Sequence, residues 1–127
     1  VPPAPRRRQF RASRVEARDS AERLREQLDR RWTLADLAQA AHLSSSQLRR
    51  IFVEAFGKSP IAYLTMLRVQ RMAELLRTTD APIAVIAAEV GWGDPDFAGR
   101  QFRRIVGLSP SEYRRISLTT PRDTAPE

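Results

Sequence analysis

Apolar residues recur along most of the chain at the three-and-four spacing of an amphipathic helix, and β-branched alternation is missing. Ala21, Leu24 and Leu28 mark a first helix over roughly 15–30, with Glu and Arg interspersed on a solvated face. Thr33, with Asp36 at N3, is the N-cap of a short helix through Ala41 that carries Leu34, Leu37 and Ala38. Ser44 and Gln47 form a Ser-x-x-Gln capping box. The helix they open holds Leu48, Ile51, Phe52 and Ala55 on one face and stops at Gly57, a natural C′ residue. Ser59–Pro60 starts a helix to about Arg77, about 28 Å long at about 1.5 Å per residue. Its apolar residues (Ile61, Leu64, Leu67, Met72, Leu75, Leu76) cover a wide arc, which calls for more than one packing neighbour. Arg68 falls on that apolar side, where a structural ion pair or backbone contacts are expected before a ligand role.

The pattern then repeats. Pro82 opens a short helix with Ile83, Ile86, Ala87 and Val90, followed by a turn at Gly91–Trp92. Asp94 and Pro95 serve as N-cap and N1 of a helix that runs to Val106 before Gly107. Ser109–Pro110 opens the last helix, with Glu112 completing a capping box. Phe52 and Phe102, Gly57 and Gly107, Ser59 and Ser109, Pro60 and Pro110, and Tyr63 and Tyr113 stand fifty positions apart, as do Arg50 and Arg100. Upstream the offset is forty-nine, pairing Leu34 with Ile83, Leu37 with Ile86 and Leu43 with Trp92, so Gly93 reads as an insertion. Each repeat is a short helix, a tight turn and a second helix: either a helix-turn-helix unit or an ordinary αα-corner.

The outward face of each second helix discriminates between the two. At about 100° per residue, Leu48, Ile51, Phe52 and Ala55 point inward, opposite Ser46, Arg50 and Val53 with Arg49 beside them. In the second repeat Ala98, Phe102 and Ile105 point inward, opposite Asp96, Arg100 and Arg103 with Gly99 beside them. Arg is therefore central to both outward faces. Near the start of a recognition helix, Arg bonds guanine O6 and N7 bidentately. Arg103 and Arg104, further along, suit phosphate, and helix N-termini add N–H donors there. A rigid connecting helix of about 28 Å is also close to the ~34 Å separating successive major-groove faces on one side of B-DNA.

Composition narrows the field. The 127 residues carry 22 Lys+Arg against 15 Asp+Glu, for a net charge of +7. All the basic residues but Lys58 are Arg, so charge by itself is ambiguous between nucleic-acid binding and base composition or solubility. Cysteine is absent and His42 is the single histidine. Thiolate metal sites, cysteine nucleophiles and a Ser–His–Asp triad therefore lack their parts, and neither a metal nor a cofactor is expected. Ser44, Ser45 and Ser46 have His42 nearby but no third orienting group, and His42 reads as a turn residue between two helices. No stretch has the length of a membrane span. The expectation is a non-enzyme working in the cytoplasm, associated with the nucleoid. Residues 1–14 read as a disordered Arg/Pro arm or linker, 15–58 as the first helix-turn-helix subdomain and 59–78 as the linker helix. Residues 79–116 read as the second subdomain and 117–127 as a tail.

Over 15–116 the chain resembles the DNA-binding domain of the AraC/XylS family. The second repeat, GWGDPDFAGRQFRRIVGLSPSEYR (Gly91–Arg114), is similar to the family signature G-F-x-D-x-x-Y-F-x-R-x-F-K-x-x-x-G-x-S-P-x-x-Y-R, and YLTMLRVQRMAELLRTT is similar to its linker helix, Arg68 included. The resemblance implies an all-α fold of about seven helices, with two helix-turn-helix subdomains joined by a linker helix. It implies a sequence-specific transcription regulator that reads two adjacent major-groove segments of double-stranded DNA, with RNA polymerase as a further candidate partner. It places base reading on Ser46, Arg49 and Arg50, and on Pro95, Asp96, Gly99 and Arg100. Ser44, Gln47, Arg103 and Arg104 are the phosphate candidates. Ala98 departs from the pattern by standing where the family usually has a large aromatic, with Phe97 beside it. Family members usually add an effector-sensing or dimerisation domain, for which 127 residues leave no room.

Two other functions fit parts of the pattern. A non-specific architectural nucleic-acid binder would rely on Arg6, Arg7, Arg8 and Arg11 of the arm with Arg103 and Arg104. A helical protein-interaction module would use Trp32, Trp92 and Tyr113 as anchors.

Overall fold

The computed structural model describes the backbone of residues 4–119 and side chains from Arg14 to Leu118. The described residues form helices and turns, with no strand. The helices are α1 (Ala4–Glu26), α2 (Leu34–Ala40), α3 (Ser45–Phe56), α4 (Pro60–Thr78), α5 (Ile83–Glu89), α6 (Pro95–Val106) and α7 (Pro110–Thr119). They belong to two compact units that divide between Thr65 and Met66, so α4 contributes its first six residues to one and the remainder to the other.

Local sequence chemistry sets most helix ends. Thr33 Oγ1 accepts from the Asp36 N–H at 3.0 Å, and Asp36 Oδ2 accepts from the Thr33 N–H at 3.4 Å, closing a box at the start of α2. Gly57 and Gly107 end α3 and α6 in the left-handed region, at φ 75° and 92°, where a residue with a Cβ is strained. Ser59 Oγ accepts from the Ala62 N–H at 3.2 Å at the first turn of α4.

In the first unit, α1 and α2 both pack against α3. Leu24, Leu37, Leu48 and Phe52 are buried there with Trp32 and Tyr63. In the second, α6 packs against α5 and α7, and Met72, Leu76, Ile86, Val90, Trp92 and Phe102 are buried. Fully burying each phenylalanine stabilises its unit by about 1.5–3 kcal/mol. Phe52 meets Tyr63 edge-on at 5.4 Å and 74°, and Phe102 meets Tyr113 at 5.4 Å and 72°. The repeat in sequence is thus a repeat in packing.

Three expectations need correction. The stretch read as a disordered arm is helical from Ala4 onward: Pro5 falls in the first turn, where its missing N–H is tolerated, and the Arg, Gln and Ala that follow favour helix. Val1–Pro3 lie outside the described residues, as do the side chains of Arg6, Arg7, Arg8 and Arg11. At the other end α7 runs to Thr119, so part of the supposed tail is helix, and residues 120–127 lie outside the described residues. Ala55 and Ile105 do not join the core: both are exposed, Ile105 at 45%. Each sits at the right angle around its helix but in the last turn, and helical angle carries no information about cover along the axis.

Candidate nucleic-acid interface

The turn that aims α3 rests on His42. Its φ of 59° lies in the left-handed region, and forty-nine residues on, Gly91 holds the matching place at φ 105°. Left-handed backbone at a single residue reverses the chain between two short helices, which is what a helix-turn-helix requires. At Gly91 a second constraint applies. A Cβ there would lie 2.6 Å from a guanidinium nitrogen of Arg68, a residue only 9% exposed. Arg68 also stands over the Trp92 ring at 5.9 Å. Its guanidinium is thus packed against both residues of the second turn, Gly91 and Trp92.

Beyond the turn, Ser44 Oγ accepts from the Gln47 N–H at 3.1 Å while Gln47 Oε1 accepts from the Ser44 N–H at 2.9 Å. Both phosphate candidates of the first unit thus have their acceptors engaged in capping. The hydroxyl proton of Ser44 and the amide NH2 of Gln47 remain as donors at an exposed helix start. Leu48, Ile51 and Phe52 anchor the inner face of α3. Ser46, Arg49, Arg50 and Val53 are exposed on the outer one. Among the described residues, neither Arg49 nor Arg50 is paired with a carboxylate.

In α6, Asp94 is the cap, its Oδ1 accepting from the Asp96 N–H at 2.9 Å, and Pro95 follows at N1. Ala98 and Phe102 are buried. Asp96, Arg100, Arg103 and Arg104 are exposed and Gly99 is half-buried. A Cβ at Gly99 would meet nothing within 4 Å. With Ala98 buried where the family has an aromatic, Phe97 stays 42% exposed, packs edge-on against Trp92 at 6.5 Å, and lies 5.9 Å beneath the Arg100 guanidinium. Arg104 donates to Gln101 Oε1 at 2.6 Å.

Supporting contacts that the sequence did not disclose hold each unit. Arg114 donates to the carbonyls of Leu76, Thr79 and Ala81 at 3.1, 3.0 and 2.8 Å, clamping the C-terminal end of α4 where the helix dipole favours a cation. Arg25 donates to the Tyr63 hydroxyl at 2.6 Å and Arg77 to that of Tyr113 at 2.8 Å. At the start of α7 the capping box read from the sequence is formed, and Glu112 Oε1 accepts from the Ser109 N–H at 2.8 Å. That bond, with the Ser109 side chain and the positive Arg103 and Arg115 nearby, holds the Glu112 carboxyl below its ordinary value. Among the described residues there is no cluster of metal-ligating side chains, and no helix is long and apolar enough to cross a membrane.

A family model described as a helix-turn-helix domain matches residues 37–116, from the first short helix into α7. The chain belongs to the AraC-type helix-turn-helix family. An AraC-like protein of Streptomyces antibioticus is 40% identical over 84 residues, 66% of this chain but only 28% of that protein. The chain therefore spans under a third of that relative's length. Among solved structures, the C-terminal domain of AraT, a response regulator from Geobacillus stearothermophilus, superposes with a TM-score of 0.79 at 28% identity, covering 87% of this chain and 93% of that one. The DNA-binding domain of AdpA, a global transcriptional factor solved in complex with a target DNA, superposes with a TM-score of 0.79 at 27% identity, covering 84% and 97%. The AraC-type fold thus accounts for nearly all the described helices.

Proposed function

We propose that this chain is the DNA-reading part of a transcription regulator acting in the cytoplasm. In this reading Ser46, Arg49 and Arg50 on α3, and Asp96, Gly99 and Arg100 on α6, face base edges in the major groove. Ser44, Gln47, Arg103 and Arg104 hold phosphates. One observation carries it. Each unit presents, after a left-handed turn, a capped helix whose buried face is apolar and whose exposed face centres on an arginine at the same register, Arg50 and Arg100. A guanidinium held on a rigid helix, clear of internal carboxylates, is the fork that guanine O6 and N7 accept. The DNA complex of the AdpA domain supports the same reading by likeness of fold.

Two reading helices in one polypeptide address two segments of one duplex. Selection from a random duplex library tests this, and a preferred site with two separated conserved blocks is expected. Equal affinity for matched and scrambled duplexes, with a steep fall in salt, would instead make the chain a non-specific binder held by Arg103, Arg104 and other cations.

A further inference from the structure

The two outward faces share a frame and differ in what they present. At the fifty-residue offset, Phe52 matches Phe102, Gly57 matches Gly107 and Arg50 matches Arg100. The remaining outward positions diverge: Ser46 is answered by Asp96, Arg49 by Gly99 and Val53 by Arg103. The first of these changes the chemistry most. A serine hydroxyl both donates and accepts, so it fits many base edges, whereas a carboxylate only accepts.

The Asp96 carboxylate sits in the first turn of α6, where the helix dipole favours an anion, but among the described residues it makes no hydrogen bond or ion pair. The cap of α6 is Asp94, to which Asp96 contributes only its N–H. Among the described residues no cation pairs with the Asp96 side chain, and Arg100, one turn on, lies over Phe97 instead. On a surface that faces a polyanion, an exposed carboxylate is repelled by every phosphate and needs a donor on the partner. In the major groove the donors are the exocyclic amines of cytosine and adenine; guanine offers acceptors, and thymine an acceptor and a methyl group. Adenine places the N7 acceptor beside its amine, which repels the second carboxylate oxygen. The N4 amine of cytosine has no such neighbour on its own base.

We infer that Asp96 is a cytosine-selecting residue of the second unit. The inference rests on α6 being a major-groove helix, as proposed above. Arg100 then takes a guanine, and Gly99, with open space where a Cβ would be, keeps the helix surface low beside Asp96. The first unit, with Ser46 at the matching register and Arg49 added, selects guanine without that cytosine. The two halves of the preferred site are therefore unlike, and this difference fixes the direction in which the chain lies on the duplex.

Random-duplex selection on the wild type, Asp96→Asn and Asp96→Ala tests this, with melting temperatures to show that all three fold. For the wild type, one position in one block is expected to require cytosine, and replacing that base lowers affinity about 5- to 150-fold. Asn, which accepts and donates, moves the preference at that position to adenine. Ala leaves it unspecified, while the guanine assigned to Arg100 is unchanged. A wild-type site selected identically by all three proteins overturns the role of Asp96 and leaves the reading of the two helices intact. No selected site for the wild type overturns both.

Discussion

The Arg25 guanidinium donates to the Tyr63 hydroxyl at 2.6 Å while the Tyr63 ring meets Phe52 edge-on, so one tyrosine ties the end of α1 to both α3 and α4. The second unit repeats the device with Arg77, Tyr113 and Phe102. Tyr63→Phe removes the hydrogen bond and keeps the ring. Arg25 is half exposed, so solvent screening brings the loss below that of a buried charged hydrogen bond, to about 0.5–1.5 kcal/mol. Tyr113 is less buried than Tyr63, so Tyr113→Phe should cost less. Denaturant melts of the two variants measure the order, and the reverse order would show that Tyr113 carries the larger share.

The turn positions should respond with opposite signs. His42 occupies left-handed backbone without being glycine. His42→Gly relieves that strain and is expected to stabilise the first unit by about 0.5–1 kcal/mol, net of the added unfolded-state entropy. Gly91→Ala meets both the left-handed backbone and the buried Arg68 guanidinium. A loss of about 2–4 kcal/mol is expected from strain and overpacking together. Thermal or denaturant unfolding decides, and a neutral Gly91→Ala would mean that Arg68 moves away freely.

Glu112 gives the second unit a dependence on acidity that the glutamine-based box of α3 lacks. Its folded carboxyl titrates below the ordinary value because the Ser109 N–H, the Ser109 side chain, Arg103 and Arg115 all favour the anion. A group whose folded pKa is depressed contributes stability that is fully present above its unfolded pKa of about 4.5. That contribution is lost as pH falls from there through the lowered folded value. Glu112→Gln keeps a capping partner and removes the titration. The wild-type melting temperature should therefore fall more steeply than the variant's as pH drops below about 4.5. Parallel curves would show that the carboxyl is not the group responsible.

What could be read from the chain and what could not divide by distance along it. The boxes at Thr33–Asp36, Ser44–Gln47 and Ser109–Glu112 were legible because a cap joins residues three apart. The exposure of Ser46, Arg50, Asp96 and Arg100 was legible because helical angle alone sorts faces. Arg114 was not, since its acceptors are backbone carbonyls 33 to 38 residues upstream and any residue supplies a carbonyl. Arg25 with Tyr63 is of the same kind. The helical start at Ala4 was hidden by composition, because Pro and Arg together suggest an arm even where Pro stands in a first turn.

Base and phosphate contacts should separate by their signatures. Arg50→Ala or Arg100→Ala is expected to weaken binding to the selected site by about 1–3 kcal/mol and to relax preference at one base pair. Arg103→Ala or Arg104→Ala should weaken binding about evenly across sequences and lower the slope of log K against log salt by about one. Binding isotherms on the selected site and its single-base variants, at three salt concentrations, distinguish the two. An Arg100→Ala protein that loses affinity evenly on all sequences would move Arg100 to the phosphate set.

Gly99 separates stability from binding within a single substitution. Inside a helix, glycine is about 1 kcal/mol less favourable than alanine, and no protein atom lies within 4 Å of the place a Cβ would take. The folded chain by itself therefore gives no reason for glycine there, and Gly99→Ala should raise stability by about 0.5–1 kcal/mol. A DNA edge brought against α6 supplies a reason, because the added methyl would hold the helix off the groove beside Asp96 and Arg100. Gly99→Ala is expected to melt higher than the wild type and to bind the selected site more weakly, with Arg50-dependent discrimination in the other block preserved. A variant that is both more stable and equally tight on DNA would show that α6 does not approach the duplex through Gly99.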